Sequence, residues 1–380
     1  MKKLFFGGLV GIILFEILNV YFIMPMPGSQ RMNSLDAAYF LYRFRWYFRI
    51  AFLVLVAIGI RDAFQIERKW IPAIGSVVAI AVIFLFNFEM AADHMFKQPS
   101  QVTFQSKDKN KLNDSSLVIV VAYPGEVKAY PMRYLVYHHQ VQDLVGGKSV
   151  IVTYCSVCRT GRVYQPIVKG QLEKFRLVGM DHFNAMFEDA TTKSWWRQVD
   201  GEAVIGSLKG EVLPEVESIQ LSIQKLFELY PSALVMQLDE ASKSSYDSLG
   251  KFEHGKSKGD LTRTDSLSWK DKSWIVGIRI GSTSKAYDWN KLKEMRIIND
   301  KIGEKPIVLA LSTDNQSFVA FERSGTEIFA IRNDTLHLNS KRYNFSGQDL
   351  TSPQQLKKVN AYQEFWLSWR TFHPQTEQFK

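Results

Sequence analysis

Three long apolar runs dominate the first 96 residues of the chain, and polar residues separate them. They cover Leu4–Met24, Trp46–Ile60 and Ile71–Met90. Glu16 is the charge within the first run, Arg49 interrupts the second, and the third is uncharged until Glu89. Because about 20 apolar residues form a helix long enough to cross a bilayer, the pattern predicts a membrane domain with about three transmembrane helices.

The charges around these runs predict an orientation in the membrane. Lys2, Lys3 and the charged loop at 61–70 fall on one side of three spans, and fewer arginines fall on the other. The positive-inside rule then predicts a multi-pass protein of the inner (cytoplasmic) membrane. Its soluble domain is expected in the periplasm or cell exterior. A cleaved signal peptide is the alternative, but the first run is too long for a signal core and lacks a small-residue cleavage site.

Short alternating apolar runs, bounded by glycine and proline, fill the rest of the chain and are typical of β-strands. Shifting the chain by 157 residues places Lys128–Tyr130 on Lys285–Tyr287, and later glycines and strand-like runs coincide without a gap. Such agreement indicates an internal repeat. The predicted fold class is α+β, with transmembrane helices followed by two tandem strand-rich repeats of one α+β unit. The predicted domains are the membrane domain (1–96), a polar linker (97–116), the first repeat (117–238), a second linker (239–273) and the second repeat (274–380).

The composition fits this plan and excludes several classes of protein. Of 380 residues, 46% are hydrophobic and 22% are charged, so a sizeable core is expected. The 47 Lys and Arg residues exceed the 38 Asp and Glu residues, which gives a net charge of +9. This surplus is spread along the chain, which disfavours nucleic acid as a partner and fits a lipid bilayer. Two cysteines are too few for a disulfide scaffold or a four-cysteine metal site.

The two cysteines, Cys155 and Cys158, form a CxxC motif between two strand-like runs of the first repeat. The second repeat has Ser312 and Asn315 in their places, so chemistry is expected in the first repeat and scaffolding in the second. A CxxC motif can form a disulfide, activate a thiol or supply two thiolates to a metal. The residues after it predict a turn and a strand rather than a helix, which disfavours a thioredoxin fold. Arg159 stands where attachment of a c-type haem requires histidine.

The cysteine pair supports three hypotheses. In the first, the protein is a thiol–disulfide oxidoreductase with a redox partner protein, in which Cys155 attacks, Cys158 resolves, and His138 or His182 accepts a proton. In the second, a non-enzymatic module receives copper or zinc from a metal donor and binds it through Cys155, Cys158, His138 and His182. In the third, the protein has a structural or assembly role, and the disulfide only stabilises a hairpin.

A tryptophan-rich stretch downstream of the cysteines predicts a pocket. Trp195 and Trp196 are adjacent, and adjacent residues of a strand point to opposite faces. One side chain therefore belongs to the core and the other can line a pocket. The predicted pocket residues are Tyr154, Asp189, Trp196 and Gln198.

The order of these motifs resembles the bacterial domain of unknown function 3179 family over most of residues 117–380. The motifs that carry the resemblance are AYP (129–131), His138, VGG (145–147), Tyr-Cys-x-x-Cys (154–158), Trp-x-Gln (196–198) and G-x-A-x-x-G (201–206). The family's Cys-Pro-Leu-Cys is Cys-Ser-Val-Cys here, and His139 stands at the position of a family glutamate. The resemblance implies an important cysteine loop and names no reaction.

Overall fold

The computed structural model describes residues 1–247, 249–325 and 327–380 of the chain. It confirms a mixed α+β fold with many strands. The α-helices are α1 (Lys2–Tyr21), α2 (Leu35–Arg43), α3 (Arg45–Ala63), α4 (Trp70–Phe84), α5 (Ala92–Met95), α6 (Met132–His138), α7 (Ile223–Leu229), α8 (Lys243–Tyr246), α9 (Gly250–Glu253), α10 (Trp289–Met295) and α11 (Trp366–Phe372).

Short strands make up most of the chain beyond residue 100. They are β1 (Phe104–Gln105), β2 (Leu117–Tyr123), β3 (Glu126–Pro131), β4 (Gln140–Val145), β5 (Lys148–Cys155), β6 (Thr160–Tyr164), β7 (Ile167–Val168), β8 (Gln171–Leu172), β9 (Phe175–Asp181), β10 (Asn184–Asp189), β11 (Trp195–Arg197), β12 (Ala203–Ile205), β13 (Ile219–Ser222), β14 (Leu234–Met236), β15 (Trp274–Ile280), β16 (Thr283–Asp288), β17 (Ile297–Ile302), β18 (Lys305–Leu311), β19 (Phe318–Glu322), β20 (Ala330–Arg332), β21 (Thr335–Leu338), β22 (Lys341–Tyr343), β23 (Lys358–Val359), β24 (Ala361–Phe365) and β25 (Glu377–Gln378). Gly125, in the turn between β2 and β3, has φ 88°, which is a conformation that residues with a Cβ rarely adopt.

The chain forms two compact units. The helix-rich unit consists of Met1–Lys97, Lys174–Arg197 and Glu202–Glu211. The strand-rich unit consists of Gln98–Glu173, Gln198–Gly201 and Val212–Lys380. Most of residues 174–211, which the sequence prediction assigned to the first repeat, therefore belong with the N-terminal helices.

In the helix-rich unit, α1 and α3 pack with their backbones in close contact. A Cβ atom on Gly8 would lie 2.7 Å from the carbonyl oxygen of Phe52, and one on Gly59 would lie 2.5 Å from the backbone nitrogen of Phe5. Glycines are thus required where the two helices meet. Small residues at such contacts are typical of helices that associate within a bilayer.

Two helices are long and apolar enough to cross a membrane, by length and composition, in the part of the chain that the structure describes. They are Lys2–Tyr21 and Trp70–Glu89, the second being α4 extended by the π-helical turn Leu85–Glu89. The second predicted span also forms a helix, α3, but this helix does not meet the same standard because it carries several charged residues. The sequence predicts three spans, and two of the three helices are long and apolar enough to be candidate spans.

A four-stranded antiparallel sheet, in the order β12-β11-β10-β9, completes the helix-rich unit. On β11, Trp195 packs in an apolar cluster with Ile23 and Ala38. Trp196 lies on the opposite face and is also buried, at 2% exposure. Both tryptophans are therefore core residues.

The strand-rich unit contains two stretches with the same order of elements, here named the first β-segment (within 117–236) and the second β-segment (274–378). Their outer sheets have the matching orders β13-β2-β3-β14 and β24-β15-β16-β25, and in both the last strand is parallel to its neighbour. Their inner sheets contain β4-β5-β6 and β17-β18-β19. The helices at matching places, α6 with α10 and α7 with α11, all have seven residues.

Equivalent hydrogen bonds accompany this match. The Tyr130 hydroxyl donates to Asp143 Oδ2 at 2.8 Å in the first β-segment. The Tyr287 hydroxyl donates to Asp300 Oδ2 at 3.0 Å in the second. Each pair joins the outer sheet to the inner sheet at the edge of an apolar core.

Both predicted linkers carry packed structure. In residues 97–116, Phe104 and Gln105 form β1, which pairs with β14. In residues 239–273, Phe252 is buried in the core of the first β-segment and the Glu253 side chain has no exposed surface. Polar composition predicted tethers here, but a few apolar and charged side chains are enough to bind these stretches to the domain.

Candidate functional site

The two cysteines lie at the turn of a β-hairpin between β5 and β6, as the sequence pattern predicts. Cys155 ends β5 and pairs with Thr160, the first residue of β6. Cys158 lies in the turn between them, and its backbone N–H points at Cys155 Sγ over 3.4 Å. Both cysteines are buried and not disulfide-bonded, and they come within 3.0 Å of each other. The turn therefore holds two thiols close enough to bond after a small movement.

The second β-segment covers this turn. The backbone N–H of Phe365, at the end of β24, donates to the Cys158 carbonyl oxygen at 2.9 Å. The Ser368 side chain, on the first turn of α11, is hydrogen bonded to the Cys158 thiol. The same hydroxyl donates to Glu364 Oε1 at 2.5 Å. A buried polar chain thus leads from a thiol through a hydroxyl to a carboxylate.

Glu364 forms an ion pair with Arg162 inside the protein. Arg162 Nη2 lies 2.9 Å from Glu364 Oε2, and the guanidinium stacks over the Tyr362 ring at 3.4 Å from the ring centroid. Burial raises the pKa of Glu364, although Arg162 and the Ser368 hydroxyl oppose the rise. Burial acts in the opposite direction on the pKa of Arg162, but Glu364 raises that pKa above its ordinary value. Each member of the pair thus offsets part of the other's loss of water.

Lys272 brings a second positive charge to the cysteine turn. Its Nζ atom donates to the Val157 carbonyl oxygen at 2.9 Å and to the Leu261 carbonyl oxygen at 2.7 Å. Burial lowers the pKa of Lys272, and the charges that the two cysteines can carry act to raise it. Lys272 is therefore placed to stabilise a thiolate in the turn.

The environment of Cys158 favours its thiol form. Burial raises the pKa of Cys158 well above its ordinary value, and the hydrogen bond with Cys155 and the charge of Glu364 raise it further. The hydrogen bond from Ser368 acts against this rise. At neutral pH Cys158 is thus protonated and needs a proton acceptor before it can react as a thiolate.

Arg159 fixes the other side of the turn to the stretch that follows the first β-segment. Its two Nη atoms donate to the carbonyl oxygens of Phe252 and Glu253, each at 2.8 Å. The guanidinium also stacks over the Trp274 ring at 3.8 Å from the centroid. Arg159 itself has φ 57°, and these contacts hold the turn in that conformation.

The predicted histidines lie in different surroundings. His138 is buried at the end of α6, where its Nε2 atom is 2.5 Å from the Tyr246 hydroxyl. His182 belongs to the helix-rich unit, where its Nδ1 atom is 2.6 Å from Asp181 Oδ1. Burial lowers the pKa of His139, which stands at the family's glutamate position, to about 4. Within residues 1–247, 249–325 and 327–380, no group of three or more His, Cys, Asp or Glu side chains is arranged to hold a metal. The copper or zinc site thus stays a prediction.

The four predicted pocket residues divide between the two units. In the helix-rich unit, the Trp196 indole donates to Asp189 Oδ2 at 2.9 Å. In the strand-rich unit, the Gln198 amide donates to Thr153 Oγ1 at 3.1 Å, which ties it to the cysteine hairpin. Tyr154 is buried in the core beside Cys155, and its hydroxyl contacts the Met132 sulfur at 3.3 Å. Gln198 and Tyr154 therefore stabilise the hairpin through buried contacts of the β5 residues Thr153 and Tyr154.

Sequence reasoning missed the charged and hydroxyl residues around the cysteines, namely Arg162, Lys272, Glu364 and Ser368. Three of them come from the second β-segment or the stretch just before it, where chemistry was not expected. One signal was present, since Glu364 interrupts the strand-like run AYQEFW with a charge. A charge at such a position is buried only with a partner, but the sequence does not show which residue pairs with it.

This geometry defines an α+β protein with a buried dithiol flanked by an ion pair, a lysine and a serine. The chain belongs to the DUF3179 family of proteins of unknown function, whose family model matches residues 95–376. No curated protein and no solved structure matches the chain.

Proposed function

We propose that this protein is a membrane-anchored redox protein in which Cys155 and Cys158 cycle between a dithiol and a disulfide. The observation that carries the proposal is that the two cysteines of the whole chain lie within 3.0 Å of each other in one turn. A disulfide bond is about 2 Å long, so a small shift of one side chain is enough to form it. Lys272 supplies the positive charge that a thiolate intermediate requires.

The reaction is an exchange with a disulfide of a partner protein. The Cys155 thiolate attacks one sulfur of that disulfide, so that a mixed disulfide forms and the other partner sulfur leaves as a thiolate. Cys158 then loses its proton and attacks the Cys155 sulfur, which closes the intramolecular disulfide and releases the partner's second thiolate. The partner gains two electrons and the two protons that the cysteines lose. The reverse sequence reduces the pair.

The two cysteines have different roles in this scheme. Burial keeps the pKa of Cys158 high, so this thiol stays protonated during the first step and is suited to the resolving role. Cys155 then makes the first attack. Because both side chains are buried, exchange requires the turn at 156–159 to open toward the partner.

A polar contact among three helices supports a multi-pass anchor. Arg49 on α3 donates to both carboxylate oxygens of Glu16 on α1, at 2.7 and 2.8 Å. The Asn87 amide, in the π-helical turn after α4, donates to Glu16 Oε2 at 2.9 Å. Paired in this way, Arg49 can lie within a bilayer, so α3 is proposed as the third span. With three spans, the positive-inside rule favours the periplasm or cell exterior for the strand-rich unit, and we propose this location because disulfides persist there.

The matching elements of the two β-segments support an ancestral duplication. The ungapped shift of 157 residues that aligns Lys128 with Lys285 also aligns the starts of β2 and β15, β3 and β16, α6 and α10, and β4 and β17. We therefore propose two tandem copies of one α+β unit, of which the first carries the cysteines.

Trapping of the mixed disulfide tests the proposed exchange. Full-length protein in lipid nanodiscs is reduced and then treated with a small aromatic disulfide. Cys158→Ser is expected to accumulate a stable mixed disulfide at Cys155, since the resolving thiol is absent, whereas Cys155→Ser is expected to react about 10-fold more slowly. Equal reaction of the two variants would contradict the assigned roles, and no reaction in either would contradict the exchange.

Metal analysis separates this function from the competing metal-binding prediction. The redox proposal expects no stoichiometric copper or zinc in the full chain purified without oxygen under reducing conditions. One equivalent of either metal, lost in Cys155→Ser and in His138→Gln, would favour the metal-binding module instead.

A further inference from the structure

We propose that a cavity beside α10 binds a neutral six-membered sugar ring. The cavity has a volume of about 200 Å³ and lies between α10 and the stretch 264–267, which precedes the second β-segment. Every residue that lines it belongs to the strand-rich unit. This binding activity goes beyond the redox function and does not depend on it.

Two tryptophans form an apolar corner of the cavity. The ring centroids of Trp274 and Trp289 lie 5.8 Å apart, and the ring planes meet at 70°. Trp289 is buried and packs edge-on against Phe318. The Trp274 indole N–H donates to Thr264 Oγ1 at 2.9 Å. Both indoles are therefore held in place, and such aromatic surfaces pack against the apolar face of a ligand.

The polar side chains of the cavity have hydrogen-bonding capacity for a ligand. Asp265 accepts from the Lys272 backbone N–H through Oδ2, at 3.2 Å. The Asn290 amide donates to the Ser266 carbonyl oxygen through Nδ2, at 2.9 Å. The second carboxylate oxygen of Asp265 and the carbonyl oxygen of Asn290 can thus accept from a ligand. Lys293, whose side chain is exposed, adds donors to the same cavity.

This combination of groups indicates the class of ligand. Asp265 and Lys293 carry opposite charges in one small cavity, which disfavours a ligand with a net charge. A hydroxyl group can both donate and accept, so a molecule with several hydroxyls can bond to both kinds of group. The tryptophan corner requires an apolar face on the same molecule. A pyranose sugar meets both requirements, with hydroxyls around its rim and C–H groups on its faces.

Hydrogen bonds hold the two walls of the cavity together. The Asn290 amide also donates to Ser268 Oγ at 3.2 Å. The Ser268 hydroxyl donates to Asp288 Oδ2 at 2.9 Å, and the same oxygen accepts from the Lys291 backbone N–H in the first turn of α10. The lining stretch is thus fixed to the helix, so that a ligand has little of the cavity to order on binding.

Saturation-transfer NMR on the full-length protein in nanodiscs tests the proposal. The probes are the methyl glycosides of glucose, galactose and N-acetylglucosamine, which are neutral and locked as six-membered rings. The protein is purified without maltoside detergents, because their sugar head groups would compete. Glycerol has hydroxyls without a ring, and choline and indole represent a cationic and an aromatic ligand. Empty nanodiscs correct for binding to lipid.

At least one glycoside is expected to bind with a Kd of about 1–10 mM, the range that ordinary ligand efficiency gives for about 13 heavy atoms. Asp265→Asn and Asn290→Ala are each expected to weaken this binding about 10-fold, because each weakens or removes an acceptor for the sugar hydroxyls. The matched control is Asn299→Ala. The Asn299 amide also donates to a backbone carbonyl oxygen, that of Phe329 at 2.9 Å, but lies outside the cavity, so wild-type affinity is expected.

Three results would overturn the proposal. The first is no binding of any glycoside at about 50 mM, far above the expected Kd. The second is that choline, indole or glycerol binds as well as the best glycoside. The third is unchanged affinity in Asp265→Asn and Asn290→Ala, because the sugar then binds elsewhere. If either variant fails to fold, Lys293→Ala at an exposed position takes its place. The redox function is tested separately, since no cysteine takes part in this binding.

Discussion

The turn after β5 and the matching turn after β18 share a backbone plan but differ in chemistry. Both follow an inner strand and precede another, and both are covered by the outer strand and helix of the opposite β-segment. The first turn holds two buried thiols beside Ser368 and Glu364. The second turn, at 312–317, holds hydroxyl and carboxylate groups.

The second turn is a closed network of fixed hydrogen bonds. The Ser222 backbone N–H donates to Ser317 Oγ, and its side chain donates to Asp314 Oδ2, both at 2.8 Å. Lys225 Nζ lies 2.8 Å from Asp334 Oδ2. Although burial acts to lower it, Asp334 and Glu228 raise the pKa of Lys225. The side chains around this turn therefore hold one another by hydrogen bonds and an ion pair, which suits a structural contact.

The comparison indicates that the two turns differ in the acidic residue that completes each of them. The cysteine turn is completed by a carboxylate with a raised pKa, whereas the second turn is completed by an aspartate, Asp334, with a lowered pKa.

The largest effect is expected from removing the buried cation of the first site. Arg162→Met leaves Glu364 buried without its charge partner, which is expected to cost about 3–5 kcal/mol of unfolding free energy. Lys225→Met, the matched change in the second site, is expected to cost about 1–2 kcal/mol because Asp334 keeps its hydroxyl and backbone donors. Urea unfolding in detergent measures the free energy of unfolding of both variants. A greater loss in Lys225→Met would reverse the contrast.

An intermediate effect is expected from alkaline pH. The folded-state pKa of Cys158 is raised, so its contribution to stability is present below the unfolded pKa of about 8.5 and is lost as pH rises toward the folded value. Under reducing conditions the wild-type unfolding free energy should therefore fall by up to about 1.4 kcal/mol per pH unit above that point. Cys158→Ser should show a shallower fall in thermal unfolding between pH 8 and about 9.5. Identical slopes would show that Cys158 titrates normally.

The smallest effects should be equal in the two segments. Tyr130→Phe and Tyr287→Phe each remove one hydroxyl hydrogen bond to an aspartate, which is worth about 1 kcal/mol. We expect losses of unfolding free energy that agree within about 0.5 kcal/mol. A large difference would argue against equivalent roles for Asp143 and Asp300.

Local patterns in the sequence predicted the elements, and long-range pairing limited the prediction of the site. Alternation and turn residues were enough to place the cysteines between β5 and β6, because these signals lie within a few neighbouring residues. Glu364 pairs with Arg162 across 202 positions of the chain. No local sequence pattern indicates such a distant contact, so the sequence prediction named nearby histidines and missed Glu364.

The same limit affected the prediction for the N-terminal helices. Arg49 counted as an interruption of the second apolar run, since a hydropathy pattern treats each charge alone. Its pairing with Glu16 and Asn87 depends on how three helices pack. The glycine contacts of α1 with α3 show why that packing is close, but a single sequence does not reveal which glycine meets which helix.

A redox titration of the full-length chain tests the central claim most directly. Protein in nanodiscs is equilibrated in thiol–disulfide buffers of graded potential, and the two cysteines are scored by alkylation and mass spectrometry. We expect a reversible two-electron transition of Cys155 and Cys158 with a midpoint above about −300 mV, in the range of exchange proteins. A midpoint well below about −300 mV, as in inert structural disulfides, or no transition at all would contradict it.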